Sequence, residues 1–284
     1  MRIKQLSYPS SSAIVCVDAR FYIMGDDARN LVILNTELEE IDSIALYHSN
    51  ERRIPKPAKG DIEAGTITAD NKLLLVGSGS LPPHRNGGWL IDPAAARADS
   101  FRLDTIYGRI MEAGLTMLNI EGACTLPGFI LLANRGNNAW RKNHLILLAD
   151  TFLNAQHTAG IQIVELSANN KGPVFVGVSG MDHHAKSDEL IITASTENTS
   201  SNTGDGAIGK SYLWVIRNFS SKQHLPTIRP DIVIDLEDLD KRFHGLKIES
   251  VCVIRKTNVG YYIALVADND DGNSTVITTE IPVE

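Results

Sequence analysis

The chain has 284 residues, 43% of them apolar and 21% charged, which is enough apolar material to bury a large core and excludes a disordered polymer. Its 27 Lys and Arg against 34 Asp and Glu leave a net charge of -7, so it carries no basic footprint for general nucleic-acid binding and none for an anionic membrane surface. No window approaches the ~18 consecutive apolar residues that a bilayer-spanning helix requires.

Taken from its start, MRIKQLSYPSSSAIVCVDAR lacks the apolar centre of a secretory signal peptide, and the expected location is the cytoplasm. Cys16, Cys124 and Cys252 are odd in number, sit among apolar neighbours and lack CxxC or Cys/His metal spacing, so they read as buried thiols. Apolar runs of four to seven residues then recur between polar or Gly-rich breaks, and no stretch sustains a long helical period capped at both ends.

These runs repeat. FYIMGDDARN (21–30), KLLLVGSGS (72–80), FILLANRGN (129–137), LIITASTEN (190–198) and YYIALVADND (261–270) each run as a strand into a polar turn. A second feature precedes them: DIEAGTI at 61, NIEGACT at 119 and KIESVCV at 247 share x-Ile-Glu, with SSSAIVCV at 10 and GMDHHAKSDE at 180 as diverged copies. A third strand follows each turn and usually a fourth, and four strands per repeat make the blade of a propeller. The last repeat has only three strands while MRIKQLSY is unassigned, so the N-terminal strand is expected to complete it. The expectation is a single all-β domain over 1–284, a five-bladed β-propeller closed by its N-terminal strand, with six blades or a β-sandwich as the alternatives.

In such a blade the innermost strand begins, and the second ends, on one rim of the central tunnel. The repeated motifs should therefore converge there. Glu63, Glu121, Lys247 and Glu249 come from the inner strands, with His183 from the diverged copy; Arg135, Glu197, Asp268 and Asp270 come from the second-strand turns. Crowded carboxylates need Lys or Arg partners, shared protons or a bound cation. An oxygen-rich set would suit Ca²⁺, for which Asp268 and Asp270 in DNDDGNS are the candidate ligands. Alternatively the repeated Glu is architectural and bonds to the next blade's backbone.

Several matches are set aside. GDGAIGKS (204–211) fits GxxxxGK[ST], yet it follows a Ser/Thr/Asn loop and runs into SYLWVIRN, which has strand composition, whereas a P-loop opens a helix. No GxSxG or HExxH occurs.

NIEGA (119–123) with ANRGN (133–137), GSGS (77–80), and KIES followed by VADNDDG resemble the uncharacterised bacterial propellers grouped with the "esterase-like activity of phytase" proteins. The resemblance spans most of the chain in short motifs. It implies a propeller of five or six blades and a link to calcium-dependent phosphoester chemistry, with no catalytic residue carried over. Two functions follow. The first is binding of a small anionic or sugar-like molecule at the polar rim through Glu63, Glu121, Arg135, His183, Glu197, Lys247 and Glu249; the alternative is a metal-dependent hydrolase of phosphoesters or sugars. Neither involves nucleic acid or membrane.

Overall fold

The computed structural model describes residues 1–168, 174–197, 208–269 and 271–283. In it the apolar runs become five antiparallel sheets around a central tunnel. Strand β1 (Arg2–Leu6) is set aside for the last sheet. Blade 1 is β2 (Ser11–Val17), β3 (Arg20–Gly25), β4 (Asn30–Leu34) and β5 (Glu40–Ala45); blade 2 is β6 (Ile62–Ile67), β7 (Leu73–Gly77), β8 (Gly87–Asp92) and β9 (Arg97–Arg102). Blade 3 is β10 (Ile120–Leu126), β11 (Phe129–Asn134), β12 (Asn143–Ala149) and β13 (Ile161–Leu166). Blade 4 is β14 (Val176–His184), β15 (Glu189–Glu197), β16 (Ile208–Arg217) and β18 (Ile232–Asp235), while the short β17 (Thr227–Ile228) adds in parallel to β13. Blade 5 is β19 (Lys247–Lys256), β20 (Gly260–Asp268) and β21 (Ser274–Pro282), completed by β1, whose residues from Arg2 to Leu6 pair with β21 from Thr278 to Ser274. The five-bladed propeller with N-terminal closure is thus the architecture.

Burial follows position in the blade. All five residues of β7 are buried, because blade faces pack on both of its sides. The outermost strands are polar: β5 exposes Glu40, Ile41, Asp42 and Ser43, and β9 exposes Arg97, Asp99 and Ser100. Charged outer edges discourage pairing with other chains. The GKS of the phosphate-loop match lies within β16, with Lys210 paired to Asp235 (2.6 Å) and Ser211 donating to the Leu246 carbonyl; residues 204–207 lie outside the described residues.

One element differs from expectation. The sequence shows no helical period after the fourth strand of blade 2, yet a helix starts there, α1 (Asp104–Glu112), whose Ile106, Tyr107 and Ile110 are buried at i, i+1 and i+4. Tyr107 Oη donates to the Gly77 carbonyl (2.6 Å), and its ring lies where a Cβ on Gly79 (φ +73°) would stand. The helix therefore braces the GSGS turn of blade 2.

A bulge is repeated at the start of all five inner strands. The ladder skips one residue between Ser11 and Ala13, Ile62 and Ala64, Ile120 and Gly122, Val178 and Gly180, and Ile248 and Ser250. The extra residues are Ser12, Glu63, Glu121, Ser179 and Glu249, structurally equivalent positions around the tunnel mouth. Each is followed by a small residue (Ala13, Ala64, Gly122, Gly180, Ser250), since the next blade lies close; a Cβ on Gly180 would stand 2.6 Å from Ser250 Cα.

Candidate functional site

The two bulge serines and the three bulge glutamates behave differently. Ser12 Oγ donates to the Ile62 carbonyl (2.5 Å) and Ser179 Oγ to the Ile248 carbonyl (2.6 Å), each locking its blade to the next. The interblade tie expected of the repeated Glu is made by these serines. The longer glutamates reach into the mouth.

Around each glutamate the neighbouring positions supply counter-charges. In blade 5, Lys247 Nζ lies 2.9 Å from Glu249 Oε1, both from the same strand. In blade 3, Asn119 Nδ2 donates to Glu121 Oε1 (2.5 Å) and Arg135 Nη1 stands 3.6 Å from Oε2; Arg135 also donates to Ser195 Oγ (3.2 Å) of blade 4, lying over Gly177, where a Cβ would meet its side chain. In blade 2, Asp61 is buried and held by Arg85 (2.7 Å), Lys59 (2.7 Å) and Ser78 Oγ (2.5 Å). Asp61 (φ +52°) and its blade 1 equivalent Ser10 (φ +49°) both turn the chain into the bulge through the left-handed region.

The segment between blades 1 and 2, ERRIPKPAKG, carries cations across the mouth. Arg53 bonds to Asp27 (2.6 Å), Arg52 donates to the Gly272 carbonyl of the blade 5 turn (2.9 Å), and Lys59 pairs with Asp26 as well as Asp61. Burial opposes the Lys59 charge, but Asp26, Asp61 and Glu63 around it raise its pKa all the same. Burial also lifts Asp26, to about 6, against the pull of Lys59.

Glu63 is the exception. It is half-buried, and burial pushes its pKa well above the usual carboxylate range, with Asp61, Glu121 and Asp26 adding to the rise and Lys59 opposing it. No described residue gives it a hydrogen bond or ion pair. Its carboxyl is therefore biased toward the protonated form, with bonding capacity that no described residue takes up. Carboxylate oxygens of Asp26, Asp61 and Glu63 lie within 4.8 Å of one another, with Lys59 bonded to the first two.

The residues expected at the rim divide as follows. Glu63, Glu121, Glu249, Lys247 and Arg135 do gather at the mouth. Asp268 pairs with Lys247 in the ladder at the same end. The backbone of Glu197 ends β15 there, and its side chain, like all of Asp270, lies outside the described residues. His183 is a correction: it pairs with Leu190 at the far end of β14, where Nε2 meets Asp188 (3.3 Å), because the blade 4 copy of the bulge motif is GVSG at 177–180 and not GMDHH. Sequence reasoning missed Lys59, Arg53 and the two locking serines. The small residue after each bulge position was the signal that would have aligned all five.

A family model described as "Family of unknown function (DUF6929)" matches residues 7–281. No curated protein matches the chain. Among solved structures, glutaminyl cyclase of Myxococcus xanthus superposes with a TM-score of 0.59 at 12% identity, over 100% of this chain and 96% of that one. A catalytically inactive virginiamycin B lyase of Staphylococcus aureus with quinupristin gives 0.47 at 9% identity, over 98% and 99%. At such identities the likeness to the cyclase shows a shared fold alone.

Proposed function

We propose that this chain, which belongs to the DUF6929 family of unknown function, binds a small uncharged polyhydroxylated molecule, sugar-like in chemistry, at the polar mouth of its propeller tunnel. The observation that carries this is Glu63: a half-buried carboxyl whose pKa burial raises, with no hydrogen-bond or ion-pair partner among the described residues. A ligand hydroxyl would take up that bonding capacity in place of water, and a net hydrogen bond of this kind contributes about 1 kcal/mol. Charge favours a neutral ligand. The cations of the mouth already face carboxylates: Arg53 on Asp27, Lys59 on Asp26 and Asp61, Arg85 on Asp61, Arg135 on Glu121 and Lys247 on Glu249. Between them they offer hydroxyl groups both donors and acceptors, as sugar recognition requires.

A second reading rests on one observation, the clustering of Asp26, Asp61 and Glu63 oxygens. These would hold Ca²⁺ for phosphoester or sugar hydrolysis of the phytase-like kind, and the ion would have to displace Lys59 and the Glu63 proton.

The test is thermal unfolding against a panel of saccharides and polyols, inorganic phosphate, and EDTA followed by Ca²⁺. A saturable rise with a saccharide is expected, with affinity roughly tenfold weaker in Glu63→Ala and largely kept in Glu63→Gln, which still donates a hydrogen bond. No rise with any saccharide, or a rise with Ca²⁺ alone, would overturn the binding reading.

A further inference from the structure

The inner strands meet their neighbours by a fixed rule. Three positions after the bulge a side chain faces the next blade, and it meets there the residue four positions after that blade's own bulge. Thr66 and Thr125 obey it across blades 2 and 3, with hydroxyl oxygens 3.2 Å apart. Asp182 obeys it across blades 4 and 5, its Oδ2 accepting from the Val253 amide (2.7 Å). Across blades 5 and 1 the same two positions hold Cys252 and Cys16.

Both thiols line one cavity of about 50 Å³ inside the tunnel, walled by inner strands of four blades. Cys252 is buried, whereas Cys16 is partly open. Cys124 occupies the equivalent of Cys252 in blade 3 and faces the position of His183, so it has no thiol opposite.

We propose that Cys16 and Cys252 are a disulfide-forming pair, oxidised by a small-molecule disulfide that reaches the partly open Cys16, and that the bond locks the seam between the first and last blades. The side-chain contact with Cys252 lowers the Cys16 pKa, while burial, reinforced by Cys16, raises that of Cys252, so Cys16 is the attacking thiolate. It attacks one sulfur of oxidised glutathione, forming a mixed disulfide and expelling one glutathione thiolate. Cys252 loses its proton and attacks Cys16 Sγ, expelling the second. The protein thiols give up two electrons and two protons, and one glutathione disulfide becomes two glutathiones. The seam is also held by the β1–β21 ladder, by Ser274 Oγ, which accepts from the Ser11 amide (2.9 Å) and donates to the Tyr8 carbonyl (2.8 Å), and by packing; a link from residue 16 to residue 252 spans nearly the whole chain, the case in which a cross-link most restricts the unfolded state.

The test incubates the folded, full-length protein with oxidised glutathione, alkylates free thiols and reads intact mass, non-reducing peptide maps and melting with and without dithiothreitol. The expected result is a loss of two hydrogens, a Cys16–Cys252 peptide pair, Cys124 still reduced and a higher melting midpoint that dithiothreitol reverses. Cys16→Ser and Cys252→Ser should abolish both effects, and Cys124→Ser should keep them. A stable glutathione adduct on Cys16, a link involving Cys124, an unchanged mass, or an oxidised form melting no higher than the reduced would each overturn the proposal; the mass and map on the unmutated chain decide even if a variant fails to fold.

Discussion

Glu63 differs from Glu121 and Glu249 although all three fill the same bulge. Lys247 and Arg135 partner the other two, whereas Lys59, whose charge acts on Glu63, pairs with Asp26 and Asp61. The repeated glutamate was legible in x-Ile-Glu, but its distinction was not, because Lys59 arrives from an interblade segment without periodicity. pH tests the state of Glu63. A Glu63 carboxyl ionises in the unfolded chain near 4.5, whereas the folded value lies well above it, so between those values the native protein holds a proton the unfolded chain has released. Stability from this group is complete below 4.5 and falls as pH rises toward the folded value. Asp26 and Asp182, both lifted to about 6 by burial, add slope of the same sign, so the comparison must be made against a variant. Glu63→Gln should melt higher than the parent at pH 7 and converge with it below pH 4.5; parallel melting curves across that range would show an ordinary Glu63.

The five bulged inner strands set where every mouth residue stands. Three were readable from Glu, and blade 1 was aligned by its SSSAIV run. Blade 4 was misplaced by several residues, because Ser179 replaces the glutamate and the charged GMDHHAKSDE drew the alignment to the wrong end of the strand. Helix α1 was missed since its nine residues follow a strand directly and its N-cap, Leu103, offers no side-chain hydrogen bond. The bulge serines make a definite contribution: each satisfies a carbonyl of the next blade, and losing one buried bond costs about 1–3 kcal/mol. Ser12→Ala and Ser179→Ala should each lower the melting midpoint by a few degrees without altering ligand affinity at the mouth. Loss of affinity at unchanged stability would instead make these serines part of the binding surface.

Closure of the ring was the clearest inference from sequence, since a three-stranded last repeat and an unassigned first strand together complete one blade. The ladder from Arg2 to Leu6 covers the β21 edge and buries Leu6. Deleting residues 1–6 should lower the melting midpoint by on the order of 10 °C and produce concentration-dependent association by light scattering, because β21 becomes an unprotected edge. What composition could not show is that a net charge of -7 coexists with a mouth in which Lys59, Arg53, Arg85, Arg135 and Lys247 face carboxylates while Glu63 has no such partner among the described residues. That arrangement is tested most directly by carbon-13 NMR of glutamate carboxyls through a pH titration, assigned with Glu63→Gln and repeated with the saccharide that stabilises the protein best. Glu63 should titrate well above the usual carboxylate range and move when the saccharide binds. A Glu63 resonance that titrates within that range and ignores the ligand would contradict both the raised carboxyl and the proposed binding at the mouth.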